Sequence, residues 1–70
     1  MTERALYCYR YWAHDPHDYD EELIWRDIQS WKGHISLRGD CIDFFVPQKY
    51  ISFFLLKYPG LVRQPALEYV

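Results

Sequence analysis

Between positions 14 and 20 the chain sets two imidazoles and three carboxylates close together: His14, Asp15, His17, Asp18 and Asp20. Imidazole and carboxylate can jointly hold zinc or another divalent cation, and His34, Asp40 and Asp43 could add donors from elsewhere. The spacing fits no established ligand pattern. The acids also have a plainer explanation. Asp18 with Glu21 three residues later fits a helix-capping pair, and carboxylates in a first turn favour the positive end of the helix dipole. A solvated turn leading into a helix is the simpler reading, and neither a metal nor another cofactor is expected.

Nucleophilic chemistry has less to work with. Cys8 and Cys41 are too few for a disulfide framework. Both lie in apolar, strand-like runs, where a thiol behaves as a small buried hydrophobe and implies a reducing compartment. A pairing of Cys41 with His34 across a hairpin is conceivable, but nothing orients the imidazole or supplies an oxyanion site. The glycines, at 33, 39 and 60, are isolated and form no phosphate loop. Glu21 and Glu22 point in different directions on a helix. No catalytic residue is expected, and the chain does not read as an enzyme.

Aromatic residues make up 20% of the 70, more than a small interior readily hides. Alternation along residues 5 to 13 puts Tyr7, Tyr9 and Tyr11 on one face, with Leu6, Cys8, Arg10 and Trp12 on the other. If the second set faces the helices, the tyrosines lie on the open side of the sheet, where Ser36, Arg38 and Phe45 could join them. Tyrosine offers large, rigid area with a polar tip, which suits a protein interface. The plainer alternative is cross-strand packing of half-buried rings. Tyrosines beside an arginine can also stack unpaired bases. Against that, Cys41-Ile42-Asp43-Phe44-Phe45 stands where an RNA-recognition strand carries Lys or Arg, Gly and an aromatic. Asp43 would repel phosphate, and the net charge of −2 gives no basic footprint.

The elements that position these residues follow from periodicity and punctuation. Residues 5 to 13 are rich in β-formers and read as a strand. Pro16 marks a polar turn, and a helix should start near Asp18 or Asp20. Ile24, Ile28 and Trp31 form its apolar stripe, and Gly33 is a natural stop. Ile35 to Arg38 and Cys41 to Val46, divided by Gly39-Asp40, read as a hairpin. Its second arm sets Ile42, Phe44 and Val46 opposite Cys41, Asp43 and Phe45. Pro47 suits the start of a second helix, with Ile51, Phe54, Leu55 and Tyr58 as its core stripe and Pro59-Gly60 as its end. A last strand over 61 to 69, bent at Pro65, belongs at a sheet edge.

The order β-α-β-β-α-β predicts a single α+β domain over residues 1–70. With right-handed crossovers it builds a ferredoxin-like sandwich: a four-stranded antiparallel sheet with two helices on one face. Phe53 and Leu56 lie off the core stripe of the second helix, and a helix apolar on more than one side is deeply buried or covered by a second chain. The acids of residues 14 to 22, among them Asp18, Asp20 and Glu22, make one acidic patch on an otherwise mildly basic chain, enough to orient an approaching partner. No leader peptide is recognisable at Met1-Thr2-Glu3-Arg4, and no apolar run nears the roughly 20 residues that span a bilayer.

Together these features predict a soluble, cytoplasmic interaction module that docks on a larger protein, and forms a homodimer, through its aromatic face, its second helix or both. Size and composition are analogous to those of small regulators and inhibitors, including viral proteins with which phages block a host enzyme or defence complex. A single-stranded nucleic-acid-binding module is the alternative.

Overall fold

The computed structural model describes residues 5–12 and 19–69. Strand β1 (Ala5–Trp12) is followed by helix α1 (Glu21–Ser30), strands β2 (His34–Leu37) and β3 (Cys41–Pro47), helix α2 (Ile51–Lys57) and strand β4 (Val62–Tyr69). A short 3-10 turn, Gln48–Tyr50, leads into α2. The strands form one antiparallel sheet in the order β2-β3-β1-β4. β1, first in the chain, is therefore an interior strand. The His14-to-Asp18 cluster falls outside the described residues.

Register decides which side chains share a face. Tyr7, Tyr9 and Tyr11 stand opposite Val46, Phe44 and Ile42 of β3, and all six point toward the helices. The main core joins Tyr9, Tyr11, Phe44 and Val46 of the sheet to Ile24 and Ile28 of α1 and to Phe54 and Tyr58 at α2. This reverses the expected orientation of β1: Tyr9 and Tyr11 are only 4% and 8% exposed. Charge explains the reversal. Arg10 shares its face with Leu6, Cys8 and Trp12, and its cross-strand partner is Asp43. Placing that face beneath the helices would shut the guanidinium of Arg10, still 22% exposed, off from water in an apolar layer, at a cost the tyrosines do not incur. Phe45 consequently lies on the face opposite the tyrosines, where it forms a smaller buried cluster with Leu6 and Cys8.

Local signals explain the helix ends. Asp20 caps α1, its Oδ1 accepting the Glu22 backbone N–H at 3.0 Å. At the other end the residue with positive φ is Lys32 (φ 60°), not Gly33. The Gly33 N–H donates to the Ile28 carbonyl at 2.8 Å and closes a Schellman-type stop. Gly33 is needed for a different reason. A Cβ there would lie 2.3 Å from the Phe45 carbonyl oxygen and 2.9 Å from Ile28 Cγ2, so the hydrogen atom is what lets α1 pass so close to β3.

α2 begins later than Pro47 suggests, because Pro47 is buried as the last residue of β3. Two helical turns leave room for one inward line, and Phe54 and Tyr58 take it. Leu55, expected in the core stripe, is turned outward instead. β4 runs along the β1 edge through Pro65 without ending there. Its register shifts between Tyr7↔Leu67 and Tyr9↔Arg63, so Pro65 sits in the irregularity, where the ladder does not need its missing N–H.

Candidate functional site

Two surfaces stand out, one on each side of the sheet. The first is the outer side of α2. Phe53 and Leu56, three residues apart and so on one side of the helix, are 63% and 80% exposed. Leu55 adds to the same apolar surface. The inner side of α2 is tightly held: the Phe54 ring packs on Tyr9 at 5.2 Å, on Tyr58 at 5.4 Å and edge-on to Trp31 at 6.4 Å. Trp31 in turn stacks on Tyr50 at 5.1 Å. The helix is thus held by one side and carries on the other apolar side chains that belong to neither core cluster of the described residues.

α2 is also tied to α1. Asp27 Oδ2 accepts the Tyr58 hydroxyl at 2.8 Å and pairs with Lys57 Nζ at 2.8 Å. Burial, reinforced by the Asp27 carboxylate, pushes the Tyr58 phenol above its ordinary pKa. Tyr19 meets Tyr58 edge-on at 5.3 Å and accepts the Gly60 N–H on its hydroxyl at 3.0 Å. Asp20, Glu21 and Glu22 at the start of α1 are all exposed. Asp20 lies near enough to Tyr58 to raise its phenol pKa further, while Glu21 lines a small cleft with Arg38 and Asp40 of the β2–β3 turn.

The second surface is an ion cluster on the face away from the helices. Asp43 is 1% exposed and accepts from both Nε and Nη2 of Arg10, at 2.7 and 3.2 Å, and from Nε of Arg38 at 2.7 Å. The Arg10 hydrogen bonds do most to hold the Asp43 carboxyl below the usual carboxylate range, against the opposing effect of burial; Arg38 adds to them. The same bond raises the already high pKa of Arg10. Arg38 reaches the cluster from the β2–β3 turn, which its N–H closes by donating to the Cys41 carbonyl at 2.9 Å. Arg10 Cζ sits 5.2 Å from the centre of the Trp12 ring, which is 39% exposed. Cys41, on the same face, is buried, and burial raises its thiol pKa. It is a poor nucleophile at neutral pH. Cys8 is also a buried thiol.

The expected site residues fall as follows. Tyr9 and Tyr11 are core, and Tyr7 is half-buried on the same face beneath the Arg63 guanidinium, 4.3 Å from its ring centre. The open tyrosine face expected from alternation is therefore absent, and Phe45 and Arg38 do not join it. Phe53 and Leu56 are exposed as expected, Asp20 and Glu22 lie at the α1 cap, and Asp18 falls outside the described residues. Asp43 is neutralised by two guanidiniums rather than left to repel an anion. Sequence reasoning passed over Arg10, Asp43 and Trp12 as a group, although one signal was available: a single charge in each of two apolar strands is a cross-strand pair in waiting. Comparison with known proteins adds no assignment, since no family model, curated protein or solved structure matches the chain.

Proposed function

We propose that this chain is a non-enzymatic interaction module, a regulator or inhibitor that docks by α2 into an apolar groove of a larger protein. The observation that carries this reading is the exposure of Phe53 and Leu56 on a helix whose opposite side is pinned in the core. An exposed apolar pair on a rigid mount is the anchor that helix-in-groove recognition uses. The side chains expose on the order of 300 Å². A stable interface needs about 800 Å² from each partner. The patch is thus too small to hold a homodimer alone and well sized for an anchor within a broader contact. The exposed acids Asp20, Glu21 and Glu22 at the start of α1 would steer the module toward a partner with a basic surface.

The strand order β2-β3-β1-β4 fits the ferredoxin-like sandwich expected from the element order, and this is the architecture we propose. No described helix is long and apolar enough to cross a membrane. Buried thiols at Cys8 and Cys41 suit a reducing, cytoplasmic setting.

The test is capture from source cells, with and without nuclease, by the parent chain and by Phe53→Glu and Leu56→Glu variants of unchanged circular dichroism. A stoichiometric protein that survives nuclease and is lost with both variants supports the reading. Capture that both variants retain refutes it. A dimer in ultracentrifugation that Leu56→Glu dissolves would reassign the patch to self-association.

A further inference from the structure

The Arg10–Asp43–Arg38 cluster lies on the sheet face opposite the α2 anchor, and the docking reading makes no use of it. A guanidinium has five N–H donors. Asp43 occupies two on Arg10 and one on Arg38, which leaves the Nη groups of Arg38 and the Nη1 group of Arg10 without a protein acceptor among the described contacts. The two cations meet at one atom, because Arg10 Nη2 and Arg38 Nε both bond Asp43 Oδ2. Two guanidiniums held that close repel each other, and one buried carboxylate balances only one of them. Asp43 offsets one of the two cations and both side chains keep contact with water, Arg10 at 22% and Arg38 at 55% exposed. Arg38 also lines a small cleft with Glu21 and Asp40.

Stability alone is a weak reason to keep such a cluster. A buried ion pair is matched or surpassed by an apolar pair of similar volume, and Arg10 and Asp43 stand opposite each other among Cys8, Trp12, Cys41 and Phe45, where an apolar pair would fit. What the charges add is preorganisation, a paired fork of the shape that recognises phosphate oxygens. Trp12 supplies the complement, a partly exposed ring next to Arg10. A ring beside a guanidinium is what stacks a base while its phosphate is held.

We propose that Arg10, Arg38 and Trp12 form a nucleotide-binding site, the guanidiniums taking the phosphate and the indole the base, with Asp43 as the residue that positions both arginines. The phosphate belongs either to a free nucleotide or to a single-stranded chain of them. The site stands on the face away from α2, so it succeeds or fails independently of the docking reading.

The test is a titration of the isotopically labelled chain, followed at the Arg Nε–Hε and Trp indole resonances, with millimolar inorganic phosphate, uridine monophosphate and a single-stranded oligonucleotide in separate arms. Uridine monophosphate should shift the Arg10, Arg38 and Trp12 signals together. Arg38→Gln, which spares the Arg10–Asp43 pair, should weaken binding about tenfold with little change in the denaturation midpoint. Trp12→Ala should weaken nucleotide binding and leave inorganic phosphate unaffected. An oligonucleotide bound more tightly than the monomer, with steep salt dependence, identifies a nucleic-acid strand as the ligand. Equal affinity identifies the free nucleotide. Absence of shifts in every arm, or unaltered affinity in Arg38→Gln, overturns the site, and equal affinity for inorganic phosphate and the nucleotide overturns the role of Trp12.

Discussion

Replacing Asp43 by Asn should destabilise the fold out of proportion to the loss of one atom's charge. Asp43 is almost wholly buried and accepts three charge-assisted hydrogen bonds. The amide keeps one acceptor oxygen and turns an NH₂ group toward a guanidinium. Arg38 is more than half exposed, so water replaces most of what it loses. The cost falls mainly on the Arg10 side of the carboxylate, where a two-pronged contact is broken beneath a partly buried cation. At 1.5–3 kcal/mol for a hydrogen bond to a charged group, the net loss is about 2 kcal/mol. For a chain of this size that lowers the melting midpoint by roughly 8–16 °C. The check is paired urea and thermal unfolding of the parent, Asp43→Asn and an Arg10→Leu/Asp43→Leu double variant. The double variant should regain most of the loss, because the one cation left without its carboxylate, Arg38, is more than half exposed to water. An Asp43→Asn midpoint within error of the parent, or a double variant worse than the single one, would refute this account of the cluster.

Other outcomes are expected of the same scaffold. Asp43 has a lowered carboxyl pKa in the fold, so its stabilising effect is complete above the ordinary carboxylate value of about 3.9 and fades as pH falls through and below it. Asp43→Asn should flatten that acid limb of a stability–pH profile. Tyr58, with its raised phenol pKa, behaves in the opposite sense: its contribution is intact below about pH 10 and fades as pH climbs beyond it. Tyr58→Phe should therefore flatten the alkaline limb and cost about 1 kcal/mol at neutral pH. Lys32→Gly should stabilise by about 0.5–1 kcal/mol, read as a raised urea midpoint, by relieving a left-handed backbone. Gly33→Ala, one residue on, should cost about 2 kcal/mol or more, because its Cβ meets the Phe45 carbonyl.

Element order, the hairpin and the outward apolar side of α2 were legible because each rests on a local signal. Spacing points to Asp18 with Glu21 as the capping pair of α1, whereas the cap is Asp20, bonded to the Glu22 N–H. The facing of β1 was not. Alternation separates Tyr7, Tyr9 and Tyr11 from Cys8, Arg10 and Trp12 without saying which set meets the helices. That depends on Asp43, 33 positions away from Arg10. Both sets are rich in apolar atoms, and the deciding quantity is the cost of covering one ion pair. The Arg10–Asp43–Arg38 cluster was illegible for the same reason, being a product of register and not of spacing. Gly33 shows a subtler limit. Its position at a helix end was plain, but the need for glycine comes from a neighbouring strand's carbonyl and not from the helix stop.

The interior position of β1 has a consequence for how the chain comes together. Residues 5 to 12 are made before both of their neighbours in the sheet, β3 and β4, and one edge is bare until Val62–Tyr69 arrives. Such long-range pairing slows folding. Meanwhile Ala-Leu-Tyr-Cys-Tyr-Arg-Tyr-Trp, an eight-residue segment with one charge, is an open template for the same segment of another nascent molecule. A chain cut short before residue 62 would carry that hazard permanently, so C-terminal truncation should produce aggregates rather than a smaller working protein.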